Sequence, residues 1–281
     1  MTRTALLMVL VFAGCTTTQR RTTEKEIAQT LISDQQEFEL GFQLHEELKK
    51  ENVKFLQSPQ VELYVEKLVG KLTAEADKER KLEWRSFVID DPKTVNAFAA
   101  PGGRIYVYTG LLLAADNEAE VVGVLGHELG HVVGRHAGRQ LVATYGLQTV
   151  IGMALGKQSN EIAQVAAGLA GKGAQLAYSR DMELEADQYG ARYASALGYD
   201  PRGLATFFEK LRAQHGDTSG VLTWLSTHPA NSDRINRVTQ LIAAEGLTGT
   251  ELGVAPLQAI KAELSKQAPG RPVSAAPPPR P

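Results

Sequence analysis

The chain has 281 residues, and its 30 lysines and arginines nearly balance its 32 aspartates and glutamates, for a formal net charge of -2. This length and a hydrophobic fraction of 43% are those of a globular protein with a buried core, and the balanced charge gives no reason to expect a nucleic-acid partner. The single cysteine, Cys15, excludes an internal disulfide framework and a cysteine-rich metal site, so a metal site in this chain must use histidines and carboxylates.

The N-terminus has the three parts of a secretory signal peptide. Arg3 supplies a positive charge, residues 5–13 are nine unbroken apolar residues, and Gly14 precedes Cys15. Nine residues are too few to cross a bilayer as a helix, which takes about 20. The small residues before Cys15 resemble a bacterial lipobox, in which the cysteine carries lipid and becomes the first residue of the mature chain. Phe12 stands where leucine is usual, and a plain signal peptide with an incidental cysteine is the alternative.

The composition of both ends divides the chain into four predicted regions. Thr16 follows Cys15, whereas an aspartate there is the usual signal for retention in the inner membrane of Gram-negative bacteria. Half of the 12 prolines lie in the last 13 residues, a composition that predicts a flexible tail. The predicted regions are a lipoprotein signal peptide (1–14), a tether (15–23), a folded domain (24–250) and a C-terminal extension that ends in the Pro/Ala-rich tail (251–281).

The folded domain is predicted to be mostly helical, with a small sheet in its first half. Apolar residues keep helical spacing over 24–50, and Ser58-Pro59 begins a second helix. The pattern then becomes that of strands over three segments, 82–90, 94–100 and 104–109. From Asp116 onward the pattern is helical again, and Asn117 with Glu120 three residues later predicts a helix start of the capping-box type.

The segment 147–178 is rich in alanine and glycine and has to be considered as a membrane span. Polar residues interrupt it, and none of its apolar stretches reaches the about 20 residues that a spanning helix needs. It is predicted instead to form two short helices packed near the core.

Residues 127–131 read His-Glu-Leu-Gly-His, the H-E-x-x-H pattern, inside a predicted helix. Residues four apart share one helical face, so the imidazoles of His127 and His131 can meet one metal ion. Imidazole nitrogens suit Zn²⁺, and the carboxylate of Glu128 can take a proton from a water at that metal. The pattern therefore predicts a catalytic zinc site with Glu128 as the general base.

The third zinc ligand has two candidates. Glu183 and Asp187 are spaced i, i+4 on a helix predicted further along the chain. Glu183 would be the ligand, and Asp187 would accept the second ring N–H of a ligating histidine; the alternative for this pair is two solvated acids. The other candidate is His136, although the pattern H-E-x-x-H-x-x-G-x-x-H would place a third histidine at Ala137.

Glycines recur every four residues around the H-E-x-x-H helix, at Gly126, Gly130, Gly134 and Gly138. Each glycine weakens a helix interior by about 1 kcal/mol relative to alanine, and together they present a ridge without side chains. The ridge predicts the close approach of another helix. The helix of Glu183, with Ala186, is the expected neighbour.

The combination of motifs resembles the zinc metallopeptidases of the HtpX and CAAX prenyl endopeptidase type, and most closely their periplasmic lipoprotein branch, typified by BepA and YcaL. The matching pieces, in the family's order, are residues 96–103, 108–111, 127–131, 179–187, 226–229 and 234–235. The sequence departs from the prenyl and HtpX branches in lacking membrane helices and from BepA in lacking a helical-repeat domain. Both departures concern the substrate and leave the zinc motifs intact.

The resemblance implies an α+β gluzincin fold, mostly helical, with a small antiparallel sheet packed on the H-E-x-x-H and E-x-x-x-D helices and with one Zn²⁺. It implies that the edge strand with Asn96, Ala97 and Phe98 binds substrate as an added strand; the alternative is an ordinary half-buried strand. His228 could sit over the open zinc position, bind substrate, stabilise the oxyanion or be structural. Arg234 could stabilise developing charge or tie a loop to a carboxylate.

The predicted reaction is hydrolysis of an internal peptide bond in misfolded or unassembled envelope proteins. The expected place is the periplasm of a Gram-negative bacterium, on the inner face of the outer membrane, with membrane contact through lipidated Cys15. The second hypothesis is a chaperone-like binding lipoprotein with a mostly latent protease site. A resting site blocked by the segment 147–178 or by His228 is a further hypothesis. The remaining histidines, His45 and His215, are expected at the surface.

Overall fold

The computed structural model describes residues 32–51, 53–170, 178–215, 228 and 232–267. The predicted signal peptide, the tether with Cys15, the flexible tail and the side chain of His215 lie outside the described residues. Along the described chain the elements are α1 (Asp34–Lys50), α2 (Pro59–Ala76), β1 (Arg85–Ile89), β2 (Ala97–Ala100), β3 (Arg104–Tyr108), α3 (Thr109–Ala114), α4 (Glu118–Val133), α5 (His136–Tyr145), α6 (Leu147–Ala154), α7 (Ser159–Leu169), α8 (Arg180–Ala196), α9 (Gly203–His215), α10 (Ser232–Glu245) and α11 (Val254–Gln267).

Helix starts follow the local sequence. Ser33 caps α1 in a capping box with Gln36, and Pro59 begins α2, where a missing N–H costs nothing. Asn117 caps α4 by accepting a hydrogen bond from the Glu120 amide, and Ser179 caps α8 in the same way. Each cap satisfies a backbone donor that a helix start leaves without an intrahelical partner. The two helices that carry the zinc motifs are thus begun by residues directly before them.

The three strands form a mixed sheet in the order β1-β3-β2. The turn Pro101-Gly102-Gly103 joins β2 and β3 into an antiparallel hairpin, and both of its glycines have positive φ. β1 pairs with β3 in parallel. The expectation of a wholly antiparallel sheet is therefore wrong at this pair. The chain reverses between β1 and β2 and again between β2 and β3, and β3 then inserts between the two earlier strands, so that it runs in the direction of β1.

The sheet separates two hydrophobic clusters, and alternate residues of β2 and β3 point into each. The cluster on the side of α2, α4, α8, α9 and α11 receives Ala97, Ala99, Ile105 and Val107. The cluster on the side of α1, α6 and α7 receives Phe98, Ala100, Tyr106 and Tyr108. This is the two-residue period of a strand that is covered on both faces. The prediction of a mostly helical protein with a small sheet is confirmed.

The segment 147–178 contributes the helices α6 and α7, as predicted. Both pack on α1 in the second cluster, where Val150, Met153 and Val165 are buried. Among the described residues, no helix combines the length and the apolar character that crossing a membrane requires.

α4 and α8 approach each other at glycine. A Cβ added at Gly130 would lie 2.9 Å from the Cα of Ala186, and one added at Gly126 would lie 3.0 Å from the Cα of Gly190. The predicted close approach is confirmed for these two residues. The prediction that α8 packs against all four glycines is wrong for the other two. Gly134 ends α4, and Gly138 lies in α5 and faces Glu37 of α1.

A group of four charges, of which Asp34 is exposed and the other three are buried, joins the start of α1 to the end of α4. Arg80 and Arg135 each form ion pairs with both Asp34 and Glu37. Arg80 also donates to the carbonyl of Val132, at 2.7 Å, in the last turn of α4. Arg135 has a positive φ of 56°, an uncommon conformation for a residue other than glycine. This junction fixes the direction in which the chain leaves the helix of the zinc motif.

Candidate metal centre

α4 brings His127 and His131 together inside the protein. The helix is buried along its whole length, and the two imidazoles are 0% and 1% exposed. Their Nε2 atoms lie 2.9 Å apart, because residues i and i+4 project from the same side of the helix. Glu128, next to His127 in sequence, is also buried.

α8 places Glu183 against these two imidazoles. Its carboxylate oxygens lie 3.6 Å from Nε2 of His127 and 3.5 Å from Nε2 of His131. Together with His228, these residues offer four nitrogen and oxygen atoms within 4.8 Å of one another, all buried. Imidazole nitrogen and carboxylate oxygen are ligands of Zn²⁺ in catalytic sites with three protein ligands. This donor set therefore fits the expected metal.

The protonation states of His131 and Glu183 suit metal binding. Burial lowers the pKa of His131 well below its usual value of 6.5, so the imidazole is neutral and keeps a lone pair. For Glu183, burial alone would raise the pKa, but the nearby charges of His228 and Arg234 hold it far below its ordinary value. A neutral imidazole and an ionised carboxylate are the forms that ligate metals.

Arg234 of α10 organises the carboxylates of α8. Its Nε and Nη2 atoms each donate to one oxygen of Asp187, both at 2.6 Å, and its Nη1 lies 2.7 Å from Oε2 of Glu183. Asp187 in turn lies 2.9 Å from Nδ1 of His127. Arg234 is therefore paired with both carboxylates, and Asp187 lies beside His127; the roles considered for these two residues stay predictions.

His228, the fourth member of the donor group, also faces Glu128. Its Nδ1 lies 2.8 Å from Oε1 of Glu183 and 3.2 Å from Nε2 of His127, and its Nε2 lies 3.5 Å from Oε1 of Glu128. Burial would lower the pKa of His228, but the negative charges of Glu183 and Glu128 raise it above its usual value. The ring thus lies among the predicted ligands and beside Glu128, and the roles considered for it stay predictions.

Tyr178 is a residue of the site that the sequence reasoning missed. Its ring stacks on the imidazole of His131, with centroids 4.1 Å apart and planes at 26°, and it also faces His228 at 5.6 Å. The available signal was its position directly before Ser179, the cap of the helix that carries Glu183. No spacing rule connects that position with His131.

The strand proposed to bind substrate lies at the edge of the sheet, next to β3. Asn96, Ala97 and Phe98 are all buried, and the ring of Phe98 stacks on that of Tyr106 at 4.5 Å. The far end of β2 and His131 line one small cavity. The strand is therefore an edge strand beside the metal centre, and its side chains point into the two cores.

The structure also places two further histidines, His136 and His45, that the sequence analysis considered. His136 lies on the far side of His131, with the two Nδ1 atoms 2.9 Å apart, and is not among the four residues that share the donor group. His45 is half-buried among aromatic rings and lies 2.9 Å from the Tyr106 hydroxyl. The surface position expected for His45 is therefore wrong, because α1 turns this residue toward β1 and β3.

The comparison with known protein families agrees with this geometry. Residues 58–242 match the model of Peptidase family M48. The chain belongs to peptidase family M48. The matched range begins at Ser58, directly before α2, ends in α10, and contains all four residues of the donor group as well as Glu128 and Asp187.

The relatives of this chain include mitochondrial and bacterial proteases. The chain is 32% identical to the mitochondrial metalloendopeptidase OMA1 of Schizosaccharomyces pombe over 178 residues, 63% of this chain and 52% of that protein. It is 35% identical to metalloprotease LoiP of Escherichia coli over 170 residues, 55% of this chain and 62% of LoiP. It is 27% identical to the beta-barrel assembly-enhancing protease of Escherichia coli over 227 residues, 76% of this chain and 46% of that protein. The chain thus spans about half the length of these relatives.

Proposed function

We propose that this M48 protein is a zinc-dependent endopeptidase of the HtpX and CAAX prenyl endopeptidase type, acting in the bacterial cell envelope. The observation that carries the proposal is the buried group of His127, His131 and Glu183, with the carboxylate of Glu128 beside it. These residues are the ligand set and the general base of the proposed site. Relatives named as metalloproteases support the class of reaction.

Each residue of the proposed site has its own role in the proposed reaction. His127, His131 and Glu183 hold one Zn²⁺, which when bound supplies a Lewis acid that lowers the pKa of a water and polarises a carbonyl. Glu128 takes a proton from the attacking water and returns it to the nitrogen of the leaving amine. Asp187 fixes the proton of His127 on Nδ1, so that the lone pair of Nε2 faces the donor group.

The proposed substrates are misfolded or unassembled envelope proteins in an extended conformation. β2 is an edge strand that begins directly after Asn96, and its Ala99 and Ala100 line a small cavity together with His131. An edge strand can accept another strand through backbone hydrogen bonds. The printed name of one relative, a beta-barrel assembly-enhancing protease, supports a substrate from the envelope.

The proposed location follows from the N-terminal sequence. We propose that residues 1–14 are removed as a lipoprotein signal peptide, that Cys15 carries the lipid, and that residues 15–23 tether the enzyme domain, 24–250, to the inner face of the outer membrane. Residues 251–281 are the proposed C-terminal extension. Mass spectrometry of the mature N-terminus tests this proposal, because a mature chain that begins with an unmodified residue contradicts lipidation at Cys15.

The alternative function is chaperone-like binding with a mostly latent protease site. The observation that favours it is the position of His228, whose Nδ1 lies within 3.2 Å of donor atoms of both His127 and Glu183. A ring in that place competes with a substrate carbonyl or a water for the metal. The two functions differ in whether the biological effect needs cleavage.

The test is the substitution Glu128→Gln, which keeps the size of the side chain and removes the base. Zinc content, measured by elemental analysis, is expected to stay at one ion per chain. Cleavage of an unfolded protein such as casein is expected to fall by about 10²- to 10⁴-fold, the usual contribution of a general base. Wild-type cleavage by the variant would exclude Glu128 as the base.

A second arm of the experiment separates the two functions. The wild-type and Glu128→Gln genes are introduced into a strain that lacks the protein. Under the protease proposal only the wild-type gene restores envelope integrity. Equal rescue by both genes would favour the chaperone-like function.

A further inference from the structure

The two histidines of α4 have different neighbours on the ring nitrogen that points away from the donor group. His127 has the carboxylate of Asp187, 2.9 Å from its Nδ1. His131 has another imidazole, that of His136, with 2.9 Å between the two Nδ1 atoms. His136 is 0% exposed. Its ring therefore lies in the interior, directly behind a predicted metal ligand.

The proposed role of His131 as a zinc ligand determines which ring nitrogens of His131 and His136 carry a proton. A neutral imidazole carries one N–H and one lone pair. Nε2 of His131 faces the donor group, 2.9 Å from Nε2 of His127, so a metal takes that lone pair and the proton stays on Nδ1. Nδ1 of His136 must then be the acceptor, and His136 carries its own proton on Nε2.

A buried carboxylate stands where that second proton needs an acceptor. Oε2 of Glu185 lies 3.4 Å from Nε2 of His136, and Glu185 is 6% exposed. Glu185 lies on α8 between the predicted ligand Glu183 and Asp187. A carboxylate at this nitrogen favours the tautomer of His136 whose Nδ1 can accept from His131.

The backbone makes room for His136. α4 ends at Val133, and Arg135, with its φ of 56°, turns the chain so that α5 begins at His136. A Cβ at Gly134 would lie 2.2 Å from Nε2 of the His136 ring. Gly134 itself has an ordinary helical φ of -73°. Its backbone conformation therefore does not require glycine, but the missing side chain leaves room for the imidazole of His136.

We propose that His136, held by Glu185, is a positioning residue for His131: it accepts the Nδ1–H of His131 and so fixes the ring and the tautomer that expose Nε2 to the metal. Asp187 does the same for His127 with a direct carboxylate. The inference rests on the proposed zinc site and adds to it two residues of this chain that do not themselves contact the metal.

The experiment measures zinc affinity by competition with a chromogenic chelator. His136→Phe fills the cavity without an acceptor and is expected to weaken zinc binding by about 10- to 100-fold, the usual effect of losing such a partner. His136→Asn, whose Oδ1 can replace the acceptor nitrogen, is expected to stay within a few-fold of wild type. Gly134→Ala, which leaves His136 in place but displaces its ring, is expected to resemble His136→Phe.

Controls keep the result independent of folding. Gly70→Ala is the matched control for Gly134→Ala, because a Cβ at Gly70 meets no atom within 4 Å. Circular dichroism of the metal-free proteins verifies the fold, and if His136→Phe does not fold, Gly134→Ala decides. The visible spectrum of the Co²⁺-loaded proteins supplies a second readout, expected to change in His136→Phe and Gly134→Ala alone.

Two results would overturn the inference: wild-type zinc affinity in the folded variants without the acceptor, or the same loss in His136→Asn as in His136→Phe. A wild-type protein that binds no zinc would instead contradict the proposed function. The two failures are therefore distinguishable.

Discussion

At the scale of single residues, His228 lies between the proposed ligand Glu183 and Glu128, the proposed base. One of its ring nitrogens lies 2.8 Å from Glu183 and the other 3.5 Å from Glu128. A side chain cannot occupy this position while a substrate carbonyl uses it. The ring must therefore either leave or serve the reaction from a neighbouring place.

The substitution His228→Ala separates these two roles. If the ring blocks the site in nine of ten molecules, its removal is expected to raise kcat/KM for casein about tenfold, because the competent fraction rises to one. Initial rates of cleavage measure this change. The double variant His228→Ala with Glu128→Gln is the control and should be inactive. A fall in rate after His228→Ala would instead place the ring among the groups that assist the reaction.

At the scale of elements, the distance between α4 and α8 determines how closely the side chains of the candidate metal centre approach one another. His127 and His131 come from one helix and Glu183 from the other, and the helices touch where Gly130 meets Ala186. The absence of a side chain at Gly130 allows the carboxylate to reach both imidazoles. The packing of two backbones thus sets the geometry of the ligands.

A methyl group at this contact is expected to push the helices apart. Gly130→Ala places a Cβ 2.9 Å from backbone atoms of Ala186, and overpacking of this kind lowers the free energy of unfolding by about 1–3 kcal/mol. Urea unfolding of the metal-free protein measures it. Gly70→Ala, in the exposed interior of α2, is expected to raise stability by about 0.5–1 kcal/mol. Unchanged stability in Gly130→Ala would show that the helices can yield without cost.

At the scale of the whole molecule, His45 makes stability depend on pH at a place remote from the zinc motifs. The ring contacts Phe87 at 4.3 Å between centroids and lies 2.9 Å from the Tyr106 hydroxyl. Burial, helped by the charge of Lys49, lowers the pKa of His45 to about 4. The folded protein therefore holds this histidine in its neutral form.

The direction of the pH dependence follows from the difference in proton binding between the unfolded and the folded protein. Below the unfolded pKa of about 6.5 the unfolded chain binds a proton that the folded protein refuses, so this contribution to stability is complete above pH 6.5 and is lost as the pH falls toward 4. His45→Phe removes it. Urea unfolding between pH 7.5 and 4.5 is expected to show wild type losing stability relative to His45→Phe. A constant difference across that range would contradict the lowered pKa.

The sequence was sufficient where a local period determines the structure. The spacing of His127 and His131 places both rings on one helical face, and the cap predicted at Asn117 marks the start of α4. The strand pattern predicted the sheet. These features depend on neighbours a few residues apart along the chain.

The remaining features depend on contacts between distant segments. The parallel pairing of β1 with β3, the stacking of Tyr178 on His131 and the burial of His45 each bring together residues that no repeat in the sequence connects. His136 shows the same limit, because its place behind His131 depends on the turn at Arg135. Sequence spacing therefore predicted the donors of the centre better than the residues that surround and orient them.

The junction of four charges at the start of α1 has a mechanical consequence. The chain before Asp34 enters the described fold through the first turn of α1, and Asp34 and Glu37 are both paired with Arg135, directly after the zinc-motif helix. A pull on the chain before Ile32 would be carried to Arg135 through these ion pairs and through the hydrogen bond that Arg135 donates to the Ile32 carbonyl. The force would enter α1 and the end of α4, whereas α8, with the proposed ligand Glu183, is not part of this junction.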